Sequence, residues 1–171
     1  MKNIKNISVA AALVVFNVSI AQVAIGKQIV DGASTVLDFN NASGNTKGLI
    51  LPATSGLPTG TLVNGTFVFD VTDNKIKVYE NDVWKPLSDA GNSSAVVANN
   101  SVEEGKGVII GASSSTADGV LVLESTDKAM VLPQIATPHV NVKSPYPGMM
   151  CYDTTSKTLA IFDGAVWSYW K

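Results

Sequence analysis

A twenty-residue stretch that recurs without a gap constrains this chain most. Gly65 to Trp84, GTFVFDVTDNKIKVYENDVW, returns 83 residues later as Gly148 to Trp167, GMMCYDTTSKTLAIFDGAVW. Gly65/Gly148, Asp70/Asp153, Thr72/Thr155, Val83/Val166 and Trp84/Trp167 are identical, and Ile76/Leu159, Val78/Ile161 and Tyr79/Phe162 stay apolar. Duplication on this scale makes each copy one supersecondary unit whose apolar face has to be covered by a neighbour.

The pattern within the repeat is that of strands. Thr66 to Asp70 is β-branched and aromatic, Val71-Thr72-Asp73-Asn74 has turn chemistry, and Lys75 to Glu80 alternates Ile76 and Val78 with Lys75, Lys77 and Tyr79. Asn and Asp tolerate left-handed backbone, which places a tip at Asp73-Asn74, with Ser156-Lys157 as its weaker equivalent. A second turn falls at Asn81-Asp82 and at Asp163-Gly164, leading into Val83-Trp84 and Val166-Trp167. Each copy therefore reads as a three-stranded antiparallel meander. Its Lys75, Lys77 and Tyr79 face carries Ala160 and Phe162 in the second copy, which points to burial there.

The duplication extends upstream. Gly26 to Ser34 aligns with Gly105 to Ser113, Val36-Leu37-Asp38-Phe39 with Val120-Leu121-Val122-Leu123, and Lys47-Gly48-Leu49-Ile50-Leu51-Pro52 with Lys128-Ala129-Met130-Val131-Leu132-Pro133. Proline ends the last of these strands because it cannot donate to the next ladder bond. The loops 53–64 and 134–147 differ most between copies, and loops on a repeated scaffold carry specificity. Ser88 to Glu104, rich in Ser, Asn, Ala and Gly, reads as a linker of low intrinsic order.

Residues 1–21 read as a secretory signal peptide and hence as an N-terminal helix, with Lys2 and Lys5 at its start, an apolar run from Val9 to Phe16 and Ser19-Ile20-Ala21 as cleavage site. The apolar run is shorter than the roughly 20 residues a spanning helix needs, so no membrane span is expected after cleavage. The expected organisation is all-β: signal peptide 1–21, β unit 22–88, linker 89–103 and β unit 104–171. Units of about 65 residues are marginal alone, so the two are expected to pack together or to oligomerise.

Cleavage leaves ten lysines and no arginine against fourteen acids, a net charge near minus four. Such a chain lacks the guanidinium groups that grip phosphates and is a poor nucleic-acid binder. Cys151, standing where the first copy has Val68, is a small core residue in this reading. Secretion without disulfides suits a bacterial envelope.

No reaction can be written from these residues. The sole histidine, His139, sits in a proline-rich loop, and no G-x-S-x-G, HExxH, P-loop or GxGxxG pattern occurs. The expectation is a non-enzyme with no cofactor and no metal. Asp70, Asp73 and Asp82 are the acids nearest to a calcium set, but the second copy keeps only Asp153 at the first of these positions, with Asp163 near the last, and turn chemistry accounts for them more simply. Trp84, Trp167, Asp70, Asp153, Gly65 and Gly148 are read as structural residues of the repeat. Tyr146, His139, Tyr169 and Trp170 are the candidate binding surface, since Tyr169 and Trp170 replace Pro86 and Leu87 of the first copy.

The K-G-L-I-L-P stretch at 47–52, followed by a meander closed by Trp84 and repeated to Trp167, resembles a duplicated β-repeat module of secreted cell-surface and adhesin-like proteins of Bacteroidota. It departs from that pattern in carrying Ala53 and Gln134 where the relatives have arginine after the proline. The resemblance implies a surface or filament-associated role, in the periplasm or outside the cell. The sequence thus supports a non-enzymatic structural or adhesion-accessory protein of the envelope, partnered by another envelope protein or by itself. A carbohydrate-binding module using the C-terminal aromatics, with a glycan as ligand, is the alternative.

Overall fold

In the computed structural model, residues 22–97, 99, 101 and 107–171 are described. The signal peptide expected over 1–21 lies outside these residues, as do residues 102–106, where the linker was expected to meet the second unit. Nearly all regular structure is β. The first half carries β1 (Val23–Ile25), β2 (Thr35–Phe39), β3 (Leu49–Ile50), β4 (Ala53–Thr54), β5 (Thr66–Asp70), β6 (Lys75–Glu80) and β7 (Val83–Pro86). The second carries β8 (Val108–Ile110), β9 (Leu121–Leu123), β10 (Ala129–Val131), β11 (Gln134–Ile135), the one-turn helix α1 (Pro138–Asn141), β12 (Met149–Asp153), β13 (Thr158–Phe162) and β14 (Trp167–Trp170).

Strands β5, β6 and β7 pair antiparallel in sequence order, and so do β12, β13 and β14, with Phe69 opposite Ile76 and Cys151 opposite Ala160. The tips are built alike. Asp70 Oδ1 accepts from the Thr72 amide and Asp153 Oδ1 from the Thr155 amide, each at 2.9 Å, while Asn74 and Lys157 take φ near 58° and 57°. The second turns differ. Asn81 and Asp82 are both left-handed and close a two-residue hairpin, whereas in the second copy Asp163 Oδ1 collects the amides of Ala165 and Val166, with Gly164 left-handed.

Short parallel pairs precede each meander: β1 with β2, β4 with β5, β8 with β9 and β11 with β12. A chain that comes back parallel to its own previous strand after a short excursion winds into stacked, solenoid-like coils. These pairs also correct the upstream alignment. Val23-Ala24-Ile25-Gly26, not a stretch beginning at Gly26, is the counterpart of Val108-Ile109-Ile110-Gly111, because both form a three-residue strand ended by a left-handed glycine, φ 74° and 100°. The corner needs a residue without Cβ, and that requirement sets the frame.

The copies share their sheets. Strand β3 of the first half joins β12, and β10 of the second half joins β2. The central core is shared as well: Leu51, Phe69 and Ile76 from the first copy pack with Met150 and Ile161 from the second, all buried. Residues 88–97, expected as part of a linker of low order, run between the two meanders. The Ile76 amide donates to Ser88 Oγ, the Gly91 amide to Asn74 O and the Asn92 amide to Asp163 O, and Val96 packs on the central core. Their small side chains fit a narrow passage, which is a second physical reason for a Gly/Ser/Asn composition.

Candidate association surface

The face of the second meander opposite the central core carries Met149, Cys151, Ala160 and Phe162, and Trp167 packs on it. The corresponding face of the first copy carries Lys77, whose ammonium lies 2.8 Å from Asp70 and 2.7 Å from Asp73. Two of the three acids nearest to a calcium set, Asp70 and Asp73, thus flank a lysine, while Asp82 lies at the far turn, bonded to Asn64. Among the described residues no cluster of His, Cys, Asp or Glu is arranged to hold a metal ion.

Replacing Lys77 by Ala160 removes the counter-ion from the second copy. Asp153 is buried, and hydrogen bonds replace the lysine: Ser156 Oγ donates at 2.7 Å and the amides of Thr137 and Thr155 each at 2.9 Å. Burial works against its ionisation, but the bonds from Ser156 and from these amides outweigh burial and hold the carboxyl below its ordinary range. The same carboxylate fixes Thr137 in a left-handed conformation, φ 48°, a strained state for a β-branched residue. Thr137 begins α1, so Asp153 positions the loop 136–142 over the apolar face. Val142 from that loop packs there.

Of the candidate surface residues, His139 and Tyr169 come together. His139 lies on exposed α1, its Nδ1 2.7 Å from the Tyr169 hydroxyl, with the rings edge to face at 6.1 Å. Burial, with the Asp153 charge adding to it, raises the Tyr169 phenol above its ordinary value, so the hydroxyl stays protonated. Trp170 turns to the other side of β14, 45% exposed, and its indole N–H donates to Leu87 O at 2.7 Å. Tyr146 lies apart, half-buried, accepting the Val97 amide on its hydroxyl. Pro86, Leu87, Ser88, Asp89, Tyr169 and Trp170 border a shallow open depression of about 420 Å³ between the copies.

The repeated residues occupy matching points of the two copies. Gly65 and Gly148 are left-handed at the entry to each meander, and Trp84 and Trp167 pack on Tyr79 and Phe162 at 5.3 and 5.4 Å. Exposed apolar side chains that sequence reasoning did not single out sit on short strands at sheet edges, Ile50 at 43% and Leu121 at 40%. An uncharged run such as Val120-Leu121-Val122-Leu123 outside the meander was the signal available for them.

Residues 109–171 match a phage tail-like trimerisation region. The matched region runs from within β8 to the end of β14 and so takes in the second meander, α1 and the C-terminal aromatics. No curated protein and no solved structure is similar enough to match the chain. No helix of the described residues is long and apolar enough to cross a membrane. What the matched region supports is a structural role exercised through association between protein chains, with self-association its direct form.

Proposed function

We propose that this chain is an exported, non-enzymatic structural protein of the bacterial envelope, an accessory to adhesion or to a surface fibre, that works as a trimer of itself. The single observation that carries the reading is the match of residues 109–171 to a phage tail-like trimerisation region. Two features support it. The matched region keeps exposed Tyr152, Tyr169 and Trp170 on a sheet whose buried Asp153 is already engaged in local bonds. Among the described residues, Cys151 is buried and His139 is bonded to Tyr169, and no hydrogen bond joins the two as a nucleophile and base pair. Export rests on the signal-peptide pattern of residues 1–21, and the surface role on the resemblance to Bacteroidota repeat modules.

The test is recovery of the tagged chain from native envelopes after mild cross-linking. Copies of the chain linked to one another, together with an envelope protein, are expected; a monomer that brings down no envelope protein overturns the proposal. A second reading, glycan binding, is favoured by the depression beside Trp170 and Tyr169. A glycan array separates the two: saccharide binding that Trp170→Ala abolishes would favour it, and a blank array would remove it.

A further inference from the structure

We propose that copies of this chain join head to tail by strand pairing, the β9 and β10 edges of one chain meeting the β3 and β5 edges of the next. The proposal rests on the self-association read above and adds to it the surfaces and the register.

Strands β3 and β10 are equivalent, since Lys47 to Pro52 aligns with Lys128 to Pro133. They nevertheless pair through opposite edges. The Leu51 amide donates to Gly148 O, towards β12, whereas the Ala129 amide donates to Ser34 O, towards β2. Leu51 aligns with Leu132, three positions beyond Ala129, and successive residues of a strand send their amides to alternate edges; the register shift between Ala129 and Met130 falls on the β2 side, where Val36 is the extra residue. The third strand of a copy is therefore a two-sided connector: one edge takes the second strand of the preceding copy, the other takes the meander of the following copy.

Two copies in one chain fill only half of these edges. Among the described residues, no strand pairs with the β2-type edge of β3 or with the β12-type edge of β10. Among the same residues β9 lacks the neighbour that β10 gives β2, and β5 lacks, beside Thr66 and Phe67, the neighbour that β3 gives Met149 and Met150. The vacant edges match in pairs, β9 with β3 and β10 with β5, when the second copy of one chain stands before the first copy of another. The internal register carries over. Met130 opposite Leu37 and Val131 opposite Asp38 become Leu49 opposite Leu121 and Ile50 opposite Val122 between chains. Ile50 opposite Met149 and Leu49 opposite Met150 become Val131 opposite Thr66 and Met130 opposite Phe67.

These edges have no lysine or proline within them, the usual devices that keep an edge strand from pairing, and Ile50 and Leu121 are exposed apolar residues. Because the two surfaces differ, the contact is heterologous. A twofold dimer uses one patch twice, whereas a ring of three needs two different patches on each chain, which is what these edges provide.

The experiment combines Ile50→Cys with Val122→Cys in the full chain, oxidises it mildly and resolves it without reductant; native Cys151 is buried and stays silent. Bands of two and three linked chains are expected from the double variant and none from either single variant. Leu121→Lys, on an exposed side chain, is expected to convert the trimer to a folded monomer. A wild-type chain that is trimeric by mass, with no cross-link in the double variant and an unchanged mass for Leu121→Lys, overturns this interface and leaves self-association standing. A wild-type chain that is monomeric at every concentration overturns both.

Discussion

The Asn92 amide donates to the Asp163 carbonyl across 2.8 Å, and this bond fastens the segment between the two copies onto the last turn of the second. The approach is close. A Cβ added to Gly91 would lie 2.1 Å from Asp163 O, a backbone atom already held by the Asn92 amide. Gly91→Ala is therefore expected to cost about 2–3 kcal/mol, in the range of core overpacking. Chemical denaturation checks it, and an unchanged midpoint would mean that the segment is not clamped.

The central core draws on both copies, so neither should unfold by itself. Phe69, fully buried in the first copy, packs in the cluster that contains Ile161 of the second. Phe69→Ala is expected to destabilise by about 3–5 kcal/mol. Hydrogen exchange is expected to show lost protection in β13 as well as in β6. Loss confined to β5–β7 would show two independently stable units.

Asp153 gives the matched region an acid limit. Its folded-state carboxyl is depressed below the ordinary value of 3.8, so its contribution is present above that pH and is lost as pH falls through the lower folded value. Thermal stability is expected to change little with Asp153 titration near neutrality and to drop below about pH 4. Asp153→Asn is expected to be less stable at pH 7 by about 1–3 kcal/mol, since charge-assisted bonds weaken, and to show a shallower acid slope. Equal acid slopes in both proteins would assign the loss to other groups.

Cys151 is expected to be inert in the folded protein. Burial, with the nearby Asp153 charge adding to it, pushes its thiol up to about 12, and the side chain is fully buried. A thiol reagent at pH 8 should label it only at the rate of unfolding. Rapid labelling under native conditions would place it at an accessible site.

The meanders were legible in sequence because their signals are local. Asp70 and Asp153 cap their tips through the amides two residues on, and Asn74 and Lys157 adopt the left-handed backbone expected there, even though lysine is a weak indicator of it. The alternation of Ile76 and Val78 with lysines gave the buried face directly. The partner of β3 was not legible. Leu49-Ile50-Leu51 and Met130-Val131-Leu132 have the same pattern, and which edge each one uses depends on what lies beside it in space. The upstream frame slipped for a related reason: chance identity at Gly26/Gly105 outweighed the corner geometry that aligns Gly26 with Gly111. Residues 88–97 resembled a linker because a strap threaded between two sheets and a flexible connector both favour small side chains. The site was legible only in part. Tyr169 and Trp170 stood out as departures from the first copy, but they lie on opposite sides of β14, tied to His139 and to Leu87.

Association between copies is the central claim, and mass in solution tests it most directly. Equilibrium sedimentation of the purified chain over a hundredfold range of concentration is expected to give a single species of three chains. A single species of one chain across that range would contradict it.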